Sequence, residues 1–592
     1  MERKSRKSLI KKFLMSFLLI NVAFLHCSFE EEVVTLCEAK GSKLLKQGNN
    51  YSVWYANPVE KVYRNDSNPH QQKDTITIKS ARNEFESFLL VVRPDSSWQN
   101  VSLEFSDLTG AGTIPKTNIT YYRVEYVNIT RTTDNLSIGR LGWTPDPLPP
   151  ESSSDLAGGQ NSPFWINVYV PDNAAAGSYA GTVDIKKDDS LIERINFQLE
   201  VWDFTIPVKR SVEIYGISPK SPQFVSERRV SSNFGYIGIN VNRNSGVVNI
   251  DTSDFDTAGS YYIDKLGNNS FEYPGTEWIS HKGTHRWPSG AAWRGIPYFS
   301  DEDNNILNPE FVNLYGQMIS KTSQYLKSRG WLKYAFVYII DEVYGSDAEE
   351  KVAKIFELIK SIDPEIRIAW TGGLGSGRLN SLVSLWIIHE DGYDPVAHQE
   401  RKAAGDGFMV YNNARMLIDY HYMRVRSFLW HLWNNQIYGT EFWSMTRWVN
   451  GDPRNNPYNY GRNGDGYLLY PPKTPSATPV IGSIRLEHLR EGIEDYEYLH
   501  MLKELVKQAK LNGGNSGDIA AAEKALARGL EINWNKSKVN PANNEPYTKD
   551  SSLLYEVREQ IASAVLTLNG SLTPEPNVPP KAPRNLKVIR EH

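Results

Sequence analysis

The sequence predicts a multidomain chain: an N-terminal all-β sandwich, then an α/β (β/α)8 TIM-type barrel, then a C-terminal helical segment. Three observations carry that prediction. Short strand-like runs, punctuated by turn residues, recur up to about residue 205. From about residue 210, apolar strand-like runs alternate with amphipathic helical runs. Beyond Ile484 the pattern is helical and charged. A length of 592 residues exceeds one ordinary domain, and an apolar content of 40% is ample for several cores.

The first 28 residues read as an export signal. Arg3, Lys4, Arg6, Lys7, Lys11 and Lys12 form a basic start, and Phe13 to Leu25 is an apolar run too short to span a bilayer comfortably. The mature protein is therefore expected to be periplasmic, cell-surface or extracellular. Membrane association is expected only if this segment stays uncleaved or Cys27 is lipidated, and Phe24-Leu25-His26 lacks the small residues that lipoprotein processing prefers. Cys27 and Cys37 are the only cysteines, and cleavage near residue 28 would leave Cys37 alone, so no disulfide framework and no cysteine-based metal site are expected.

Residues 30–205 form the predicted sandwich. Its clearest strands are Thr75–Ile78, Ser87–Val92, Phe164–Val170, Ala180–Ile185 and Ile195–Trp202. Turns such as Pro171-Asp172-Asn173 and Lys187-Asp188-Asp189 separate them. Phe204 to Pro207 reads as the exit linker.

Residues 210–510 form the predicted barrel. Val212–Ile217 and Tyr236–Val241 are the expected early strands, and 245–300 is too irregular to place the third. A helix over Asn308–Ser328 precedes the run Ala335–Ile340, and a second helix spans Asp347–Ser361. Strands follow at Ile366–Trp370, Leu382–Ile388 and Gly407–Tyr411, then a helix over about 415–437 and a strand from Gly439 to Met445. An open doubly wound sheet is the alternative, but no glycine-rich phosphate loop follows the first strand. Ile484–Lys510 reads as a long helix. Residues 511–570 form a helical extension with stretches at 516–531 and 549–567. The Pro-rich tail, 571–592, resembles the leader of a fibronectin type III domain.

Chemistry concentrates where Ala335–Ile340 runs into Asp341-Glu342. Two carboxylates at the carboxyl end of a buried strand are costly, and in a β/α barrel that end builds the active site. A pair of acids there suits acid/base work on a glycosidic bond. Neighbours on a regular strand face apart. Either the strand ends and the backbone turns, or one acid points into the helix layer. Other strand ends add Trp370, His389-Glu390, Tyr411-Asn412, Trp443 and Arg447-Trp448, a rim suited to a neutral polyhydroxylated substrate. The 16 Trp and 32 Tyr supply planes on which sugar faces stack. A net charge of −4 without a basic stripe argues against nucleic acid. His389-Glu390-Asp391 lacks the spacing of a metalloprotease motif, no serine-hydrolase elbow occurs, and no metal or other cofactor is expected.

Gly464–Pro471 and Ser483–Leu499, taken with the acid pair, resemble the catalytic domain of glycoside hydrolase family 123. Trp54–Val62 and Ser80–Ser87 resemble that family's β-sandwich leader, so the resemblance runs from about 52 to 505. It implies an exo-acting, retaining β-N-acetylgalactosaminidase in which the sugar's own 2-acetamido oxygen attacks the anomeric carbon. It implies that Glu342 is the general acid/base and that Asp341 orients the acetamido group, which relieves the strand puzzle. Val343 departs from the Pro that many relatives carry after the pair. The Arg485–Tyr498 block reads as structural, tying its helix to the barrel wall. A retaining glycosidase with Glu390 as nucleophile, acting on a sugar without the acetamido group, and a non-catalytic glycan-binding surface protein are the competing readings.

Overall fold

A computed structural model describes residues 41–572 apart from 219–220, 234–237, 282, 372, 375–376, 390–391, 393–395, 397, 412–415, 474–479 and 534–546. The expected signal, Cys27, Cys37 and the Pro-rich tail lie outside the described residues.

Two sheets make the N-terminal sandwich. One is antiparallel, in the order 43–47, 51–56, 84–94, 162–170, 119–123. The other runs 154–156, 98–105, 177–187, 190–205, 75–82, with its last pair parallel. Along Ser190–Thr205 buried and exposed residues alternate from Ile195 to Val201, the period of a strand with one face on a core. Phe88, Leu90 and Ile166 from one sheet meet Phe197, Leu199 and Val183 from the other in the shared core.

Eight parallel strands follow in chain order: β1 (Glu213–Gly216), β2 (Ser231–Ser232), β3 (Phe271–Glu272), β4 (Ala335–Val337), β5 (Arg367–Thr371), β6 (Leu385–His389), β7 (Gly407–Tyr411) and β8 (Gly439–Phe442). Each pairs with its sequence neighbour and β8 pairs with β1, except that among the described residues no ladder joins β2 to β3. The barrel is thus nearly closed. Its lumen is filled by Tyr215, Phe336, Tyr338, Ala369, Leu385, Ile387 and Met409. The alternate residues, such as Ile214, Val337, Ile368, Trp386 and Val410, belong to the outer core, to which helices α1 (Pro309–Ser328) and α2 (Ser346–Ile362) also contribute.

Two expectations are corrected. The second barrel strand is Ser231-Ser232, not Tyr236–Val241. Of that stretch 236–237 lie outside the described residues, and Asn240-Val241 open a largely exposed antiparallel hairpin with Val247–Asp251. A two-residue Ser-Ser strand carries no apolar period to detect. The helix expected over about 415–437 is instead two short ones, Tyr422–Arg426 and Phe428–Asn434, hinged at Ser427.

Helix α3 (Ile484–Leu511) explains how sandwich and barrel form one body. Every residue from Ile484 to Asp495 is buried, charged ones included, so the helix has no polar face there. Its charges are matched on all sides. Glu487 binds Arg228 (2.7 Å), Glu494 binds Arg229 (3.0 Å), and Asp495 takes both a 2.7 Å and a 2.9 Å bond from Arg426. Arg485 reaches Asp146 of the sandwich side at 2.9 Å. Helix α4 (Ser551–Leu572) adds Arg558, which pairs with Glu84 and Glu86 of the sandwich and with Asp495. The structural reading of the Arg485–Tyr498 block therefore holds, and its partners include the sandwich as well as the barrel wall.

Candidate active site

The carboxyl ends of the barrel strands open into a cleft of about 1170 Å³. Its lining includes Asp341, Glu342, Tyr338, Thr371, Tyr411, Glu441 and Glu272, with Trp278, His285, Trp443 and Tyr460 around it.

Strand alternation explains which side chains arrive there. In β4 and the two residues after it, Phe336 and Tyr338 face the lumen while Ala335, Val337 and Ile339 join the outer core. The alternation breaks at Ile340, which joins Ile339 in the outer core instead of turning inward. Glu342 then takes φ +41°, a left-handed conformation that non-glycine residues rarely adopt. The strand has ended and the chain is turning, so both acids reach the cleft. Neither points into the helix layer.

The surroundings fix both carboxylates. Asp341 accepts two hydroxyl hydrogen bonds on the same oxygen, Oδ1, from Tyr338 (2.7 Å) and Thr371 (2.8 Å). The Thr371 hydroxyl also accepts the backbone N–H of Glu342 at 2.8 Å, so one group at the end of β5 ties both acids. Tyr411, ending β7, donates its phenol O–H to Glu342 Oε1. Burial, with the Glu342 carboxylate beside it, pushes the Tyr411 phenol far above its usual range, so it stays a donor. His285 Nδ1 lies 3.0 Å from the Glu342 carbonyl oxygen, which can only accept, so the strained peptide is itself held.

Glu441 of β8 sits at the floor, 4% exposed. Burial, reinforced by the charges of Asp341, Glu272 and Glu342, pushes its carboxyl up to about 8. Glu272 of β3 is also raised by burial, against the 2.7 Å bond it accepts from Tyr215. At the mouth the Trp278 ring meets Tyr338 edge-on (5.1 Å) and Trp443 meets Tyr460 (5.4 Å). Trp278 and Tyr460 are about half exposed, which leaves aromatic faces to the solvent side of the cleft.

The family models decide what kind of protein carries this site. That of the glycoside hydrolase 123 catalytic domain matches residues 294–502, and that of the glycoside hydrolase 123 N-terminal domain matches residues 59–187. The chain belongs to glycoside hydrolase family 123. It is a glycoside hydrolase, and the cleft holding Asp341 and Glu342 lies within the barrel. A family 123 glycoside hydrolase from Clostridium perfringens, solved in a study of glycolipid glycan hydrolysis, shares the fold. It aligns at 17% identity with a TM-score of 0.56 over 88% of this chain and 98% of that one. A family 39 glycoside hydrolase from Bacteroides cellulosilyticus aligns at 12% identity over 70% of this chain and 81% of its own, with a TM-score of 0.31, too distant to bear on this site. No curated protein matches the chain.

Among the site residues expected from sequence, Asp341, Glu342, Tyr411 and Trp443 meet in the cleft. The others are placed differently. Trp370 packs edge-on against Phe356 of α2, because its neighbour Thr371 takes the lumen side. His389 stands against Tyr411, ring to ring at 5.4 Å, and is not among the residues lining the cleft. Arg447 donates to the Tyr460 hydroxyl at 3.0 Å, one layer back. Trp448 is anchored to the Leu469 carbonyl at 2.9 Å and packs on the core. Glu390 and Asn412 lie outside the described residues. Thr371, Tyr338, Glu441, Glu272, Trp278 and His285 were not anticipated. The last three precede residue 294, upstream of the segment that matches the family 123 catalytic domain. Glu441 had a readable signal: a lone carboxylate inside the run Gly439–Phe442.

Proposed function

We propose that this glycoside hydrolase releases terminal β-linked N-acetylgalactosamine from glycans or glycolipids, with retention of configuration, by substrate-assisted catalysis. The observation that carries the reading is the arrival of both adjacent acids in one cleft with different supports. Asp341 is oriented by two hydroxyls on Oδ1, and no protein donor to Oδ2 occurs among the described residues, so Oδ2 is the atom that receives the acetamido N–H. Glu342, steered by Tyr411, is the proton carrier.

In the first step the acetamido oxygen bonds to the anomeric carbon as the bond to the leaving oxygen breaks. The Glu342 proton passes to that oxygen, and the positive charge of the oxazolinium ring sits beside the Asp341 carboxylate. In the second step water adds to the anomeric carbon, gives its proton to Glu342 and reopens the ring. The nucleophile comes from the substrate, so the two acids need not flank the bond as an acid and a nucleophile. The aromatic mouth supports a sugar ligand, whose C–H faces pack on the exposed planes of Trp278 and Tyr460.

The proposal includes export. Its support is the basic and apolar pattern of residues 3–25, and no described helix is long and apolar enough to cross a membrane.

A matched pair of aryl β-galactosides, with and without the 2-acetamido group, tests the substrate. Turnover of the N-acetyl member alone, lost in Glu342→Gln, is expected. Equal turnover of both overturns the substrate-assisted reading, and full activity in Glu342→Gln overturns the assignment of the acid.

A further inference from the structure

We propose that Glu441 is a specificity-determining residue, binding one hydroxyl of the sugar ring at the floor of the cleft. The inference rests on the reading of the cleft as the sugar site and deepens it.

Its position is the first reason. Glu441 sits on the lumen-facing side of β8, in register with Tyr411 on one side and Tyr215 on the other. It lines the cleft together with Asp341, Glu342 and Glu272. The second reason is that its carboxyl has no hydrogen-bond partner among the described residues, although the residue is almost wholly buried. Its acidic neighbours are all served: Asp341 by Tyr338 and Thr371, Glu342 by Tyr411, Glu272 by Tyr215. With so little of the residue exposed, its carboxyl opens onto the cleft it lines rather than onto a protein partner. A rigid strand at the floor of the cleft keeps it aimed at the place where a ligand group would complete it.

The third reason is the chemistry of its surroundings. Asp341, Glu342 and Glu272 face it and Tyr411 and Tyr215 flank it, while neither lysine nor arginine is among the described residues lining the cleft. In that field Glu441 holds its proton into the neutral range. It then offers both an O–H donor and a carbonyl acceptor, the pair that a sugar hydroxyl matches as acceptor and donor. A site built to bond a hydroxyl rejects an analogue that lacks it, because its own buried group is then left unmet. In the proposed reaction Glu342 carries the proton, and the part left to Glu441 is recognition. It reads which hydroxyl stands where, and so separates sugars that differ only in one ring substituent.

The test is a coupling measurement with 3-, 4- and 6-deoxy versions of whichever aryl glycoside the wild-type enzyme turns over. Wild type is expected to lose about 10- to 100-fold in kcat/KM on one of the three. Glu441→Ala should lose a similar factor on the parent sugar, and then less than about 3-fold more on that same deoxy sugar. Glu441→Gln, which keeps a donor and an acceptor, should recover at least about 10-fold over Glu441→Ala. If the alanine variant does not fold, as judged by its melting curve, Glu441→Met, apolar and of similar size, completes the cycle. Deoxy penalties in the variant equal to those of wild type for all three sugars overturn the proposal. A wild type that turns over only sugars without the acetamido group overturns the function proposed above, and the same cycle on those sugars still decides the role of Glu441. A wild type inert on every aryl glycoside overturns both.

Discussion

Replacing Thr371 by valine removes a single hydroxyl and nothing else of comparable volume. That hydroxyl donates to Asp341 Oδ1 at 2.8 Å and accepts the N–H of Glu342 at 2.8 Å. Its loss leaves Asp341 with one orienting donor, Tyr338, and leaves the N–H of a left-handed residue unmet. A hydrogen bond to a charged acceptor is worth about 1.5–3 kcal/mol, and one between neutral groups about 0.5–1.5 kcal/mol. Both bear on groups that act in the transition state, so about 2–4 kcal/mol of stabilisation there is at risk. At about 1.4 kcal/mol per tenfold, that is a fall of about 30- to 1000-fold in kcat/KM. Thr371→Ser, which keeps the hydroxyl, should stay within about 5-fold of wild type. The assay is steady-state hydrolysis of an aryl N-acetyl-β-galactosaminide, with melting temperatures to show that all three proteins are folded. A folded Thr371→Val enzyme within 2-fold of wild type refutes the idea that this hydroxyl organises the acid pair.

Four further outcomes are expected. Trp370→Phe should cost stability, about 1–3 kcal/mol by urea unfolding, and leave KM alone, since Trp370 packs against Phe356; Trp278→Ala should raise KM with little change in melting temperature. Arg426→Met leaves Glu491 buried without its arginine and Asp495 with Arg558 alone, so a loss of about 3–5 kcal/mol in unfolding free energy is expected, with specific activity per folded molecule unchanged. Glu441 has a folded value raised to about 8 from 4.5, so the stability it contributes is present below pH 4.5 and is lost as pH rises through 8. Glu441→Gln cannot titrate, so its melting temperature should match wild type near pH 4.5 and exceed it increasingly up to pH 9. The gap of about 3.5 units, at about 1.36 kcal/mol each, bounds the effect at about 5 kcal/mol.

How much could be read in advance follows from how far each feature leaves a periodic trace. Helix α1 and helix α2 emerge within a residue or two of their expected ends, because each carries an apolar stripe facing the barrel wall. Strands β6 and β7 are nearly continuous apolar runs, the mark of strands buried on both faces. In contrast β2 and β3 are two residues each, Ser231-Ser232 and Phe271-Glu272, too short for any period. With them went the loops that bring Trp278 and His285 to the cleft. Trp370 was misplaced by one residue of alternation: it and Thr371 share a strand end, and only one can face the lumen. The acid pair was legible as a contradiction. Two neighbours could not both face inward on a regular strand, and the resolution lay in the backbone, in the outward turn of Ile340 and the left-handed Glu342. The block in α3 was recognisable as structural from its paired charges, whereas its partners Arg228, Arg229 and Arg558 lie some 60 to 265 residues away and carry no local signal.

In the proposed reaction the substrate supplies the nucleophile while Asp341 holds it. Aryl β-galactosaminides whose N-acyl group is acetyl, fluoroacetyl, difluoroacetyl or trifluoroacetyl vary the basicity of the attacking oxygen and little else. If that oxygen attacks the anomeric carbon, log kcat/KM should fall steeply and linearly with electron withdrawal, by about two to four orders of magnitude across the series. A kcat/KM that stays level from acetyl to trifluoroacetyl would contradict the claim.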